Sequence, residues 1–496
     1  MPPEQLAQKV DTLETEKAKL ELEVLELRRQ IDWFKRNLFG SGKSEKLDAL
    51  QTRLGIDEPE PEEPKKQKVA YERKKGKKPR LSAEEQFEKL PVVETVELIP
   101  AAVQAEPERY KRIGEERTFE VDITPPKLFK REIVRPKFRC LDDRDAPPVI
   151  EPALPRPAVC SFASAGLMAY VVRSKYLHHL PLYRQEKMSA HWGAQLSRKT
   201  MSDWVGYVAD WFEPVYGRMR ECLLAGDYLQ ADETPVRYMD PDLKNGKTSQ
   251  GYLWLIGRPG SDVVFDWRLT RRHEEATTLL EGFEGLLQSD GYAAYEELAK
   301  GNGALTRIAC WAHVRRKFVE AESESPLAVR FILRLIGNLY WMENQWELNK
   351  WDAPAWRTAL RRRDFAPVLS LLKRVVLKAR ERSLPRSGLG KACGYLLGQW
   401  EALIAQIQNG QVRLDNNLIE NAVRPSALGK KNFLFIGSPE AGKRSAIIYS
   451  IIVSCQRHGI DPLSYMRDVL GKMAKTGKNT KDVDHLIPSN WLPSGN

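Results

Sequence analysis

The sequence predicts a multidomain α/β protein whose folded domains follow an N-terminal coiled coil, and three observations lead to this fold class. Residues 1–48 carry a heptad repeat, residues 49–90 are charged and proline-rich, and strand-like and helix-like segments alternate from residue 227 onward. With 496 residues, the chain is long enough to hold several domains with substantial cores.

The first segment, residues 1–48, is predicted to form a coiled coil that joins copies of the chain. Val and Ile predominate at the a positions and Leu at the d positions, which favours a parallel dimer. Lys17 is the polar residue of this seam, and such a residue sets register at a cost in stability. The alternative is a single amphipathic helix packed on its own chain. The seam consists of Leu6, Val10, Leu13, Lys17, Leu20, Val24, Leu27, Ile31, Phe34 and Leu38.

Residues 49–90 are predicted to be a disordered linker, because neither the acidic "DEPEPEEP" nor the basic "KKQKVAYERKKGKKPR" can bury a core. The basic half either binds phosphates or is a solvated tether. Residues 91–155 are predicted to be a small β module, with strands at "VVETVELI" and "KLFKREIVRPKFRC".

Residues 156–224 are predicted to be helical and to resemble a helix-turn-helix. Pro181 suits the start of one helix, Gly193 lies in the turn, and Ser197 is a good N-cap for a second helix. Arg198 and Lys199 would open that second helix, where such motifs contact DNA. The alternative is an ordinary helical hairpin without a DNA partner.

The overall composition points to a polyanionic partner and a reducing compartment. The formal net charge is +11, which favours nucleic acid as the partner. The six cysteines form no CxxC pair, so the sequence indicates neither a zinc ribbon nor a disulfide framework. No signal peptide or membrane span is predicted, and the expected location is a bacterial cytoplasm, at the nucleoid.

From residue 227 the predicted order is β-β-β-α-β-α-β-α, which matches the ribonuclease-H-like fold and assigns residues 225–325 to the first part of such a core. A turn at "KNG" (244–246) joins the first two strands. The predicted elements are "DYLQADETPVRYM", "GYLWLIG", "DVVFDWRL", the helix "HEEATTLLEGF", "GLLQSD", the helix "YAAYEEL", the strand "ALTRIACWAHV" and the helix "RRKFVEAESE".

Two acids in this region, Asp232 and Asp290, fall on strands that adjoin at the centre of that fold. Side by side, the two carboxylates would repel each other unless a divalent cation lay between them. Oxygen ligands suit Mg²⁺ or Mn²⁺. Glu233 should point to the opposite face of the strand. The alternative is that Asp232 and Asp290 are exposed acids at strand ends.

A helical insertion is predicted over residues 326–412, and the C-terminal part of the core over 413–475, followed by a tail at 476–496. In "RLDNNLIENAVRPSALGKKNFLF", a helix places Asn417, Glu420, Asn421 and Arg424 on one face. Pro425 is expected to end this helix, so that Lys430 and Lys431 lie in a basic loop.

Several motifs together resemble the insertion-sequence-66-type transposases, a family of DDE enzymes. The resemblance spans most of the chain, and its motifs are "FKRNLFGSGKSEKL", "ADETP", "DGYAAY", "CWAHVRRKF" and "LDNNLIENAVRPSALGKKNFLFIGS" followed by "AIIYS". It implies that Asp232, Asp290 and Glu420 form the catalytic triad and hold two Mg²⁺ (or Mn²⁺) ions. It further implies cleavage of transposon ends and strand transfer into target DNA by in-line phosphoryl displacement.

The chain departs from this family in the region after the coil, where a Cys-rich zinc module is usual and only Cys140 remains. Zinc is therefore not expected in that module.

Basic and polar residues near the triad are candidates for DNA contact, with structural roles as the alternative. The resemblance also implies terminal inverted repeats and target DNA as partners, with accessory proteins of the same element as further candidates. The candidate DNA contacts near the triad are His313, Arg315, Arg316, Asn417, Arg424, Lys430 and Lys431.

Three rival interpretations remain. "GSPEAGK" (437–443) has the spacing of a phosphate-binding loop, but Arg444 stands where that loop needs Ser or Thr. A non-catalytic DNA-binding regulator and a plain metal-dependent nuclease of the same fold are the other two.

Overall fold

The computed structural model describes residues 128–138, 149–150, 152–158, 161–243, 247–301, 303–351, 353–477, 480 and 482–493. The chain divides between Pro125 and Pro126, and every described residue belongs to the second unit. The predicted coiled coil, the charged linker, the strand "VVETVELI" and the turn at 244–246 lie outside the described residues.

The described part of the predicted β module contains two short antiparallel strands, β1 (Lys137–Phe138) and β2 (Val149–Ile150). The longer strand predicted over 127–140 is wrong for residues 128–136, which have no regular secondary structure. Phe129 and Val134 remain exposed, so the apolar residues of this segment do not mark a buried face.

Three helices follow: α1 (Ala165–Tyr176), α2 (Leu182–His191) and α3 (Arg198–Leu224). As predicted, Ser197 caps α3, and its hydroxyl accepts a hydrogen bond from the Thr200 N–H at 3.1 Å. Gly193 lies in the connection between α2 and α3 with a φ of 79°, a conformation that glycine adopts without strain. α3 continues for 27 residues because a stripe of buried side chains, including Trp204 and Phe212, runs along it.

A five-stranded mixed sheet follows, with strand order β5-β4-β3-β6-β7. β4 is antiparallel to both β3 and β5, whereas β6 is parallel to β3 and β7 is parallel to β6. The strands are β3 (Tyr228–Met239), β4 (Thr248–Gly257), β5 (Val263–Arg268), β6 (Gly285–Ser289) and β7 (Leu305–Ala309).

Three helices accompany the second half of the sheet: α4 (His273–Leu279), α5 (Ala293–Gly301) and α6 (Trp311–Glu320). The predicted strand "ALTRIACWAHV" is too long, because β7 ends at Ala309 and the residues from Trp311 onward are helical. Trp311, Val314 and Phe318 are buried at helical spacing, and this stripe accounts for the early change from strand to helix.

The predicted insertion is helical and shares one apolar core with α6. Arg361 is fully buried in it and bridges several parts of the insertion. Its elements are α7 (Pro326–Leu348), α8 (Pro354–Glu381), α9 (Gly388–Gly398), α10 (Trp400–Ile404) and a 3₁₀ turn, Ala405–Gln408.

The C-terminal helices are α11 (Asn417–Phe433), α12 (Pro439–Arg457) and α13 (Pro462–Thr476). The prediction that Pro425 ends the helix is wrong, since α11 continues to Phe433. Ile419, Ala422, Ser426 and Gly429 are buried along one stripe, so packing continues on both sides of the proline and offsets its missing N–H. Lys430 and Lys431 therefore lie in the last turn of a helix rather than in a loop.

The stretch "GSPEAGK" is the start of α12, not a phosphate-binding loop. Ser438 caps the helix, and its hydroxyl accepts a hydrogen bond from the Ala441 N–H at 3.1 Å. Gly442 lies so close to the Trp267 ring that a side chain there would clash with it. Further along α12, the hydroxyls of Ser450 and Ser454 accept hydrogen bonds from N–H groups of β5, so this edge strand is covered.

The segment after α13 returns to the core, where Val483, Leu486 and Ile487 are buried beside a 3₁₀ turn, Asp484–Leu486. In the part of the chain that the structure describes, no helix combines the length and apolarity needed to cross a membrane.

Candidate active site

Asp232 and Asp290 lie where two parallel strands meet at the centre of the sheet. β3 and β6 pair in parallel up to Gln230 and Gln288, and the same register carried two residues further sets Asp232 beside Asp290. Asp290 directly follows the last residue of β6. Its Oδ1 accepts a hydrogen bond from the Tyr292 N–H at 2.9 Å, which orients the carboxylate at the strand end.

The start of α11 is anchored against β3, and this brings Glu420 towards the two aspartates. Asn416 is fully buried, and its Nδ2 donates to the carbonyl of Ala231 at 3.4 Å. Nε2 of Gln230 donates to the carbonyl of Asp415 at 3.0 Å. Glu420 follows one helical turn later.

A buried polar network beneath the aspartates holds the segment that enters α11. Nε2 of Gln230 donates to Oε1 of Gln288 at 2.9 Å and to the Tyr228 hydroxyl at 3.0 Å. Nε2 of Gln288 donates to the carbonyl of Arg413 at 2.8 Å. Because Gln230 and Gln288 are fully buried, these bonds replace water that the groups have lost.

The carboxyl group of Asp232 is in an unfavourable place for a negative charge. Burial, together with the nearby carboxylates of Glu233, Asp290 and Glu420, raises its pKa to about 8 from an ordinary value of 3.8. A cation at this point would relieve both the burial cost and the repulsion.

Glu420 is itself contacted by two basic side chains of α6. Its Oε1 lies 3.5 Å from Nδ1 of His313, and its Oε2 lies 3.4 Å from Nη2 of Arg316. Oε1 is buried and makes no hydrogen bond within the described residues, because the contact with His313 lacks hydrogen-bond geometry. The carboxylate therefore keeps one oxygen free for a further ligand.

Glu233 has a separate set of partners, although it neighbours Asp232 in sequence. Its carboxylate accepts hydrogen bonds from Nε of Arg271 and from the Tyr295 hydroxyl, both at 2.9 Å. Burial raises its pKa, and the hydrogen bond from Arg271 opposes that shift. Glu233 is therefore engaged by Arg271 and Tyr295, and Asp232 is the acid of β3 whose register sets it beside Asp290.

The predicted DNA contacts on α11 differ in their exposure and partners. Asn417, Arg424 and Lys431 are exposed. Lys430 instead donates from Nζ to the carbonyl of Pro235 at 3.0 Å, and burial lowers its pKa. Lys430 therefore ties the end of α11 to β3, whereas the exposed residues are open to a partner.

The remaining predicted DNA contacts are on α3 and α6. Arg198 pairs with Glu186 of α2, with 2.9 Å between Nε and Oε2, so it joins the two helices. The side chain of Lys199 is 91% exposed, with Asp203 at 3.9 Å. On α6, Arg315 is exposed and Arg316 contacts Glu420 as described.

Sequence reasoning missed the residues that position the acids: Asn416, Tyr228, Gln230 and Gln288. Two adjacent asparagines before a helix are a signal for an N-cap, and Asn416 does occupy that position, but the side chain bonds to β3 instead of to its own helix. Gln230 and Gln288 each lie two residues before a strand acid, a pattern that is detectable only once the register of β3 and β6 is known.

The fold and the acidic cluster define an α/β protein with a candidate carboxylate site at the ends of parallel strands. The sequence model described as "Transposase IS66 family" matches residues 160–444. Uncharacterized protein y4jD of Sinorhizobium fredii (strain NBRC 101917 / NGR234) is 33% identical over 396 residues, which cover 77% of this chain and 76% of that protein.

A second protein of the same strain, uncharacterized protein y4qI, is 30% identical over 398 residues, covering 77% of this chain and 72% of the relative. A third, uncharacterized protein y4hP, is 28% identical over 410 residues with the same coverage. The chain belongs to the IS66 transposase family.

Proposed function

We propose that the chain is a DDE transposase that cleaves the ends of its own mobile element and joins them to target DNA. The observation that carries the proposal is the register of β3 and β6, which sets Asp232 beside Asp290, together with the anchoring of the start of α11, the helix of Glu420, against β3. The strand order β5-β4-β3-β6-β7, in which only β4 runs antiparallel to the other four strands of this sheet, supports a ribonuclease-H-like core.

The three carboxylates fit a divalent metal site. The buried Asp232 has too many acidic neighbours to ionise readily alone, and Oε1 of Glu420 is buried without a hydrogen bond within the described residues. An all-oxygen donor set of this kind suits Mg²⁺ or Mn²⁺. Two such ions, held by Asp232, Asp290 and Glu420, would polarise the attacking and leaving oxygens of an in-line phosphoryl displacement.

The protein residues around the acids orient them and balance their charge. Tyr292 holds Asp290 through its N–H, and Asn416 holds the start of α11 against β3. His313 and Arg316 flank Glu420 with positive or hydrogen-bonding groups, which moderates repulsion among the acids. No covalent protein nucleophile is required, because water and then a DNA 3′-hydroxyl attack phosphorus.

The exposed cations of α3, α6 and α11 are candidate phosphate contacts. Arg424 and Lys431 lie on α11, and Arg315 lies on α6. Lys199 opens α3 at the proposed DNA-binding helix pair, and Arg198 beside it is shared with Glu186. We propose that transposon ends and target DNA bind across these residues. We further propose that the N-terminal coil pairs two copies of the chain, and that the protein acts at the nucleoid in a bacterial cytoplasm.

The test is a cleavage and strand-transfer assay with full-length protein, Mg²⁺ and DNA carrying the element's ends. Asp232→Asn, Asp290→Asn and Glu420→Gln are each expected to lower the rate at least about 100-fold, because each removes charge from the metal-binding set. The matched control is Asp242→Asn, an exposed acid in a turn, which should retain the wild-type rate.

Equal rates for all five proteins would contradict the assignment of the triad. DNA binding by the wild type without any Mg²⁺-dependent cleavage would favour a non-catalytic regulator. Cleavage without joining of the donor 3′ end to a second DNA would favour a nuclease of the same fold.

A further inference from the structure

A second cluster of potential metal ligands lies beside the proposed triad and shares Glu420 with it. Cys310 directly follows β7, and His313 lies at the first turn of α6. One ligand atom from each of Cys310, His313 and Glu420 lies within 4.8 Å of the others. Cys310 and His313 lie at the start of α6, and Glu420 lies in the first turn of α11, so the tertiary fold brings the two helix starts together.

One buried atom each of His313 and Glu420 lacks a hydrogen-bond partner within the described residues. Nδ1 of His313 and Oε1 of Glu420 lie 3.5 Å apart, both are buried, and neither makes a hydrogen bond within the described residues. Buried polar atoms of native proteins normally have a partner. Two such atoms facing each other at one point therefore indicate a missing ligand between them.

Burial raises the pKa of the Cys310 thiol to about 12, and nearby backbone N–H groups oppose only part of that shift. The Cys310 side chain is buried, and backbone N–H groups of Asn416 and His313 are directed at the sulfur. These N–H groups belong to His313, in the first turn of α6, and to Asn416, the N-cap residue of α11. The thiolate is the form that binds metal, so an entering cation would displace the proton of this buried thiol.

We propose that Cys310, His313 and Glu420 bind a thiophilic divalent cation of the Zn²⁺ class, and that this ion competes with Mg²⁺ for Glu420. Sulfur, imidazole and carboxylate are the ligand types of zinc, and Mg²⁺ has little affinity for sulfur. Ligand atoms around a tetrahedral ion at zinc distances are roughly 3.5 Å apart, and the His313–Glu420 pair already has that separation.

A site with three protein ligands leaves a fourth position for water, so the ion can enter and leave. When it is bound, the Glu420 carboxylate is turned to the thiolate and imidazole rather than to the two aspartates. The proposed competition with Mg²⁺ rests on the proposed transposase function, whereas the proposed binding of the ion depends only on the ligand geometry.

Cobalt binding tests the site without any activity measurement. Full-length wild-type protein titrated with Co²⁺ is expected to show a sulfur-to-cobalt charge-transfer band that saturates at one ion per chain. Cys310→Ser should lose this band, whereas Cys222→Ser, which changes a half-buried cysteine of α3, should keep it. Asp232→Asn should also keep it, because Asp232 belongs only to the proposed Mg²⁺ set.

His313→Asn is the second variant. Its cobalt affinity, measured from the titration of the band, should fall at least tenfold, while its melting temperature stays near that of the wild type. Thermal melting of each variant establishes that it is folded. No cobalt band in folded wild type, or an undiminished band in folded Cys310→Ser, would overturn the site.

The competition is tested by adding Zn²⁺ to the Mg²⁺-dependent cleavage assay, with each protein compared with its own rate in Mg²⁺ alone. The wild type should be inhibited, and Cys310→Ser should need at least tenfold more Zn²⁺ for the same fractional inhibition. Equal inhibition of both would overturn the competition. If the wild type cleaves no DNA in Mg²⁺, the proposed function fails, while the cobalt result still decides the binding site.

Discussion

Asp232 combines burial with acidic neighbours, and this makes it costly for the free protein to ionise. Its pKa of about 8 exceeds the ordinary value of 3.8, so the folded chain binds a proton that the unfolded chain releases between those two pH values. The contribution to stability is therefore present below about pH 4 and is lost as pH rises towards 8. At neutral pH and above, the metal-free site opposes folding.

We predict that Asp232→Asn melts at a higher temperature than the metal-free wild type at pH 8. Removing the ionisation cost should raise the free energy of unfolding by on the order of 3 kcal/mol, which corresponds to a rise of roughly 5 °C in the melting temperature. At pH 4, where the wild-type carboxyl is protonated, the two proteins should melt together. Scanning calorimetry at both pH values in chelator is the measurement, and equal melting at pH 8 would contradict the electrostatic argument.

The individual site residues differ in how far sequence could identify them. Asp232 and Asp290 stand out because a carboxylate on a buried strand lacks an obvious counter-charge, and Glu420 stands out by helical spacing. Gln230 and Gln288 do not stand out, because a buried glutamine and an exposed one look alike until the register of β3 and β6 is known. Asn416 and Lys430 act on the backbone of β3, which sequence spacing cannot show.

At the scale of elements, a buried arginine of the insertion helps to hold the segment that leads into α11. Fully buried Arg361 of α8 pairs with Glu343 of α7 and donates to the carbonyls of Gln406, Asn409 and Val412 at 2.8–3.0 Å. The next residue, Arg413, has its carbonyl bound by Gln288. The segment that leads into α11 is therefore held by the insertion on one side and by the sheet on the other.

Replacing this arginine should damage the fold far more than replacing its neighbour. Arg361→Met leaves Glu343 with one fewer cation, removes the Arg361 donor from the Val412 carbonyl, and leaves the carbonyls of Gln406 and Asn409 with one backbone donor each. We therefore expect a loss of about 3–5 kcal/mol in the free energy of unfolding. Arg362→Met, which changes an exposed arginine on the same helix, should cost under about 1 kcal/mol. Urea denaturation measures both. Similar losses in the two variants would contradict the anchoring role of Arg361.

The elements themselves were predictable where one periodicity governs a whole segment. β3, β5 and β6 begin and end within a residue or two of their predicted bounds, because alternation or a short apolar run is bounded by polar turns. The ends of β7 and α11 were predicted wrongly. In both, tertiary packing decided the boundary: a buried stripe starts α6 at Trp311, and another carries α11 past Pro425.

At the scale of the whole molecule, the chain divides between Pro125 and Pro126, so the predicted coil can be tested apart from the family-defining region. We predict that a chain lacking residues 1–125 unfolds cooperatively at the temperature of the full-length protein. It should be a monomer at concentrations where the full-length protein is a dimer, since the heptad repeat is the proposed contact.

Analytical ultracentrifugation gives the two masses, and calorimetry gives the two melting temperatures. A dimer that persists without residues 1–125 would place the self-association surface in the second unit. Full-length protein carrying Leu13→Glu and Leu20→Glu is the matched control, because charges at the seam should separate the chains without removing any residue.

The distance along the chain between the proposed triad members has a consequence for biosynthesis. Asp232 and Asp290 are translated well before Glu420, and the whole helical insertion lies between Asp290 and Glu420. A polypeptide released early, by a nonsense codon or a frameshift anywhere in that insertion, would contain two acids of the set and never the third. Under the proposed mechanism, incomplete translation products of this gene are unable to cut the genome of the cell that makes them.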